Sequence, residues 1–388
     1  MNARKFLVFF TSVFLLLLIG CSNKGSEPVS TAPNEEKGQG QKGKNDIAIS
    51  AENWDQVVEE AEKEGRITVA GPPVPSHRET ILQFEKAYPG IKVEYTGLTP
   101  ADYEPRVSSE RENNQFLWDI YISGVSSTVY SQQIKNGWYD PIKDVIVQPD
   151  VLKDSNWLGG FESSFLDTEG KYVFAFGAAI KDSIYVNRDM VSEEEFNSYD
   201  DLLDPKWAGK IALSDPRIRG GGSNSFRQIY SVLGKEKAKK FLKEQDYVLT
   251  DTPKQVAEWA VRGTYPILIS LDSALIRDFE EQGIKHNLKP IPDPSKSVLT
   301  QWGNVLLLNN APNPYASAVF VNWLLSKEAQ ADWSERGTVN SRRTDVEPAD
   351  LDIYVKDEST WLEGYNLSSE KTVKEAVEAM EIAREAIK

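Results

Sequence analysis

Four short segments of this 388-residue chain offer residue types that can hold a small ligand. The richest is Ser214-Asp215-Pro216-Arg217-Ile218-Arg219, followed by Gly220, Gly221, Gly222, Ser223 and Asn224. Glycines ahead of a helix can present several backbone N–H groups to an oxyanion. Ser223 or Asn224 adds a side-chain donor, and Arg217 or Arg219 can grip the anion bidentately. The same residues also make a plain loop with a Ser/Asn cap and solvated arginines. The second segment is Ser76-His77-Arg78. Ser76 with Glu79 reads as a capping box, and His77 and Arg78 then fall in the first helical turn. A cation there opposes the helix dipole, which points to an anionic partner. The third is Ser123-Gly124 at the end of a strand, where Gly lets a backbone N–H approach a ligand or simply turns the chain. The fourth is Asp272-Ser273, a carboxylate for a ligand amine or hydroxyl, or an ordinary N-cap. Tyr185 and Trp302 lie on extended stretches where they can stack on a ligand or fill a hinge.

Composition narrows the chemistry. Acids outnumber Lys and Arg by 59 to 44, a formal charge of −15, which argues against nucleic acid as partner. One Cys and two His exclude a disulfide framework and a Cys-rich metal site. A metal could be held only by scattered Tyr and Asp, so neither metal nor cofactor is expected. The chain has no G-x-S-x-G, no H-E-x-x-H and no phosphate loop. An extracytoplasmic hydrolase using paired carboxylates is the alternative from another class.

The first twenty residues stand apart. Asn2 to Lys5 carry two cations and no acid, and Phe6 to Ile19 are apolar except for Thr11 and Ser12. This run is short for a membrane span, which takes about 20 residues, and suits a secretory signal. It ends in Leu18-Ile19-Gly20-Cys21, which resembles the bacterial lipobox, so Cys21 is expected to be lipidated. Losing residues 1–20 removes two cations and shifts the charge from −15 to −17. Residues 21–46 are polar, without aromatics, and read as a flexible tether.

From residue 47 strands and helices alternate. Asn53 caps a helix that Gly65 stops; Ile67 to Ala70 and Ile91 to Tyr95 read as strands. A polar helix covers about 100–114, Asp119 to Ile122 is a strand, and a helix runs from Ser126 to Gly137. Past the extended runs of 172–187 the rhythm restarts with the strand Lys210 to Ser214. A helix bearing Phe226, Ile229 and Leu233 closes at Gly234, and Tyr265 to Ser270 is a strand. Val305 to Asn309 is strand-like, Asn313-Pro314 starts a helix, and a last helix spans about 368–387. This rhythm implies parallel α/β sheets in two lobes: 47–177, 178–300, then 301–388 returning to the first lobe with C-terminal helices. The connectors near 172–187 and 298–309 would hinge the lobes. No internal sequence repeat is visible.

Several stretches resemble the bacterial extracellular solute-binding proteins of ABC importers, in the branch that includes ferric-iron, phosphonate and sugar-phosphate binders. They are Glu64-Gly65-Arg66-Ile67-Thr68-Val69 with Tyr88-Pro89-Gly90-Ile91-Lys92-Val93; Asp201 to Ile211 running into Ser214-Asp215-Pro216; Ala311-Pro312-Asn313-Pro314 with Phe320 to Gln330; and Ser341-Arg342-Arg343-Thr344-Asp345-Val346. The resemblance implies a two-lobed, type II periplasmic-binding-protein fold. It also implies a small solute held in the interlobe cleft, and delivery to an ABC permease by a lipid-anchored monomer outside the membrane. Ferric-binding relatives use phenolates, typically an adjacent Tyr-Tyr pair. This chain has none, and where the pair is expected it reads Ile269-Ser270-Leu271-Asp272-Ser273. A small organic anion is therefore the expected cargo, with ferric iron as the alternative and ligand sensing as a further one.

Overall fold

The computed structural model describes residues 48–271, 273–337 and 339–387. The signal segment 1–20, the tether 21–46 with Cys21, and Asp272 lie outside the described residues, and of Ser273 only its place at a helix start is described.

The first lobe starts with α1 (Trp54–Glu64), which ends at Gly65 with φ 70°, a conformation glycine adopts at little cost. Next come β1 (Arg66–Gly71), α2 (Pro75–Leu82), α3 (Phe84–Ala87), β2 (Lys92–Gly97), α4 (Pro100–Glu112), β3 (Ile120–Ser123), β4 (Tyr139–Asp140), α5 (Pro149–Leu152) and β5 (Phe174–Ala175). β6 (Gly177–Ile180) leads out of this lobe. The second lobe holds β7 (Ile184–Asn187), β8 (Ile211–Ser214), α6 (Gly221–Glu244), β9 (Tyr247–Thr250), α7 (Pro253–Val261), β10 (Ile267–Ile269), α8 (Ser273–Glu281) and β11 (Leu288–Pro290). The chain returns through β12 (Val298–Leu299) and β13 (Asn304–Leu308). It then continues with α9 (Pro314–Leu324), α10 (Lys327–Arg336), β14 (Asn340–Ser341), α11 (Glu358–Glu363) and α12 (Val373–Ala386).

The two large sheets share one plan. In the first, β2-β1-β3 are parallel, β13 joins β3 antiparallel, and β4 lies beyond it. In the second, β9-β8-β10 are parallel, β7 joins β10 antiparallel, and β11 lies beyond it. The antiparallel member of each sheet is the strand that has just arrived from the other lobe. The expectation of purely parallel sheets is thus corrected: a chain that crosses between lobes enters the new sheet running against its neighbours. The repeat of topology has no counterpart in sequence.

Central strands are buried along their length, as β3 and β13 show, and so read as continuous apolar runs. The first lobe's core gathers Val57, Ile67, Ile81, Phe84 and Trp333 with Val319, Phe320 and Leu324 of α9. Burying each large side chain contributes about 1.5–3 kcal/mol. Asp119 ties this core together: it accepts from the N–H of Thr68 and of Asn313 at 2.7 Å and from Asn313 Nδ2 at 2.9 Å.

A third, small sheet joins the lobes. β6 pairs antiparallel with β12 and with β14, so Gly177, Ala178 and Ala179, small residues with no strand signal of their own, form a strand. α12 returns to the second lobe, where Ala379, Ile382 and Ala383 join the core of Phe226, Ile229 and Phe241. α6 breaks at Gly234 (φ 74°, ψ 168°), where the sequence indicated its end. Another helical segment bearing Ala238, Phe241 and Leu242 follows, which the sequence reading did not find.

Candidate ligand site between the lobes

In sheets of this kind ligands sit beyond the C-terminal ends of the parallel strands. In the first lobe these ends are Gly71, Gly97 and Ser123. In the second they are Ser214, Thr250 and Ile269, with Ser270 following. The segment between β8 and α6 faces the first lobe. Arg219 Nη1 lies 3.4 Å from Thr128 Oγ1 and 4.0 Å from Glu104 Oε2. Glu104 belongs to α4 and also accepts from Ser126 Oγ at 2.7 Å. Arg219 therefore reaches across the interlobe boundary while its side chain stays 67% exposed.

Arg217 behaves differently. Its Nε and Nη2 grip Asp215 at 2.6–3.1 Å, and this hydrogen bonding holds the Asp215 carboxyl below its usual range. The guanidinium that could clamp a ligand is occupied within its own loop, which leaves Arg219 as the clamp of the pair. Gly222 is pressed onto the loop before it: a Cβ would lie 2.4 Å from Asp215 O. Ser223 Oγ closes on Gly220, accepting from its N–H and donating to its carbonyl at 3.0 Å. Asn224 is half-buried at the same helix start.

The structure adds residues that the sequence reading missed. Ser214 and Ser225 bury hydroxyls without partners beside the α6 start. Ser270 follows β10 with φ 71°, and a Cβ on Gly221 would meet its Oγ at 2.8 Å. Non-glycine residues at positive φ are uncommon and concentrate at functional sites. Across the boundary Gln301 has φ 40°, and its carbonyl would lie 3.0 Å from a Cβ on Gly124. Asn304 Nδ2 donates to Ser123 O at 2.7 Å and its Oδ1 is buried without a partner. Ser123 Oγ donates to Gly124 O at 2.8 Å. The strand-end position of Ser270 was legible; its backbone conformation was not, because nothing local to a serine encodes positive φ.

Two sequence expectations are corrected here, the capping box and His77. α2 begins at Pro75 with Val74 as its cap, and no side chain caps it, so the Ser76–Glu79 capping box does not form. Proline already supplies the helix start, and its missing N–H needs no partner. His77 is fully buried, stacked on Trp333 with centroids 4.5 Å apart. Burial lowers its pKa to about 4, so it is a neutral core residue. Tyr185 packs on the cluster of Val256, Leu268 and Leu288, and Trp302 packs on the first-lobe core. Arg78 remains exposed beside Tyr95, whose hydroxyl donates to Pro72 O.

Two lobes, crossed by hinge strands and each opened by a strand from its partner, define a periplasmic-binding-protein fold of type II. The chain belongs to the bacterial extracellular solute-binding proteins, whose family pattern matches residues 79–357. It is thus an extracytoplasmic solute-binding protein of an ABC importer and not an enzyme. Among solved structures it is similar to the apo ferric ion-binding protein A of Pasteurella haemolytica (17% identity, TM-score 0.63, covering 83% of this chain and 98% of that one). It is also similar to iron-bound HitA of Pseudomonas aeruginosa (16%, 0.59, 83% and 99%). A third is the Trichodesmium protein IdiA (FutA) in complex with iron and citrate ligands (18%, 0.61, 82% and 99%). No curated protein matches the sequence.

Proposed function

We propose that the protein captures a small organic anion between its lobes and hands it to an ABC permease while tethered outside the membrane by a lipid on Cys21. The observation that carries this reading is the α6 start. A glycine-rich turn and two buried hydroxyls without partners lie there, and Arg219 of the same segment reaches Thr128 and Glu104 of the facing lobe. Backbone N–H groups and a guanidinium complement a carboxylate or phosphonate. Ser123-Gly124, Gln301 and Asn304 line the first-lobe side. We place the lobe boundary at residues 177–178 and again near 300, where β6 and β12 cross, and the working form is a monomer.

Ferric iron is the second reading, and the names of the structural relatives favour it. The tyrosines speak against it here. The chain has no adjacent Tyr-Tyr pair, and Tyr103, Tyr121, Tyr130 and Tyr139 are packed into a buried apolar cluster. The described residues contain no group of three His, Cys, Asp or Glu suited to a metal.

A thermal-shift screen of organic acids, phosphonates and ferric salts separates the readings, because a ligand that binds only the native state raises Tm. An organic anion should raise it, with the rise abolished by Arg219→Met and kept by Arg217→Met. A rise with ferric salt alone, unchanged in Arg219→Met, would refute the anion reading.

A further inference from the structure

A charge at the hinge is left without a counter-charge. Arg342 follows β14 and is 2% exposed. Its Nη1 donates to Ala175 O at 2.9 Å, and its Nη2 donates to Leu158 O and, at 3.1 Å, to Ser163 Oγ. Trp361 of α11 covers it, with the guanidinium carbon 3.6 Å from the ring centroid. Its Nε is buried and has no partner. Among the described residues no carboxylate lies within ion-pair distance of it. The neighbouring Arg343 takes the nearby acids: Asp345 and Asp150 each sit 2.9 Å from its guanidinium. Carbonyls, a hydroxyl and a π-face attract a cation, yet they carry no net charge. Leaving a buried ion in that state is unfavourable, and proteins ordinarily supply a partner.

Arg342 also lines a pocket, together with Leu158, Ala178, Ser341, Tyr354 and Val355. The space in it open to the centre of a water-sized species is about 10 Å³, enough for one such species. Two of its walls are hinge strands: Ala178 lies on β6 and Ser341 on β14, in the register Asn340↔Ala178 and Ser341↔Gly177.

We propose that this pocket is a small-anion site, filled by a monatomic anion of chloride size that neutralises Arg342 and braces the junction of β6, β14 and α11. The anion is separate from the transported solute, because Arg342 lies among Ala175, Leu158 and Trp361 and not at the α6 start. Loss of this site therefore leaves the cargo reading intact, and loss of the cargo reading leaves this site intact.

Two measurements on the whole chain test it. In crystals of the wild-type protein grown with sodium bromide in place of chloride, anomalous scattering should show bromide within hydrogen-bonding distance of Arg342. Bromide confined to exposed arginines, an adventitious ion only, or an uncharged water in the pocket, would overturn the proposal. In solution, exchanging sodium gluconate for sodium chloride at constant ionic strength should raise the wild-type Tm by several degrees and saturably. Arg342→Met should show no such rise, while Arg262→Met, which alters an exposed arginine outside every candidate site, should keep it. A wild-type Tm indifferent to the exchange, or an equal rise in Arg342→Met, would refute it.

Discussion

Arg217 and Arg219 are two positions apart and alike in sequence, but the fold separates their roles. Arg217 turns back on Asp215, while Arg219 extends to Thr128 and Glu104. The sequence placed both at the site; only the loop's path, which depends on Gly222 lying flat against Asp215, distinguishes them. His77 shows the opposite failure. Its place in the first turn of a helix suggested an anion, because helical position says nothing of which way a side chain faces. The packing of α2 on α10 turns it onto Trp333. Its folded pKa, about 4, lies below the ordinary 6.5. Between those values the unfolded chain binds the extra proton, so stability is full above pH 6.5 and falls as pH drops toward 4. The shift corresponds to about 3 kcal/mol. His77→Phe should flatten that acid limb in urea titrations at pH 4–7 and leave ligand affinity unchanged. An undiminished acid limb would show that His77 is not its source.

Among the elements, the helix start at α6 decides whether a site exists. Its glycines were readable as an anion turn, and the reason for one of them is now specific: at Gly222 any Cβ meets the Asp215 and Ser214 carbonyls. Gly222→Ala should cost about 1–3 kcal/mol, the usual range for overpacking. It should weaken ligand binding as well, because the turn must move off β8. A variant that keeps both Tm and affinity would show that the turn has slack. The strands were found where apolar runs are continuous, as in β1, β3, β8 and β13. β6 escaped as a strand because Gly177, Ala178 and Ala179 carry no β-branched or aromatic signal. It is ordered by pairing with β12 and β14, which are distant in sequence.

For the whole molecule, the two-lobed plan followed from the restart of the strand–helix rhythm after residue 187, and the family resemblance pointed the same way. The antiparallel entry strands were not legible, since direction within a sheet depends on where the chain comes from. Neither was the return of α12 to the second lobe, because an amphipathic helix does not name its partner. Arg219 bridging to α4 joins lobes whose relative position ligand contacts can bias. The most direct test of interlobe anion capture is native mass spectrometry of freshly purified wild-type protein beside Arg219→Met. The account expects a single small organic adduct on the wild-type chain, released on denaturation and missing from the variant. An adduct with the isotope pattern of iron, or an organic adduct retained in full by Arg219→Met, would contradict it.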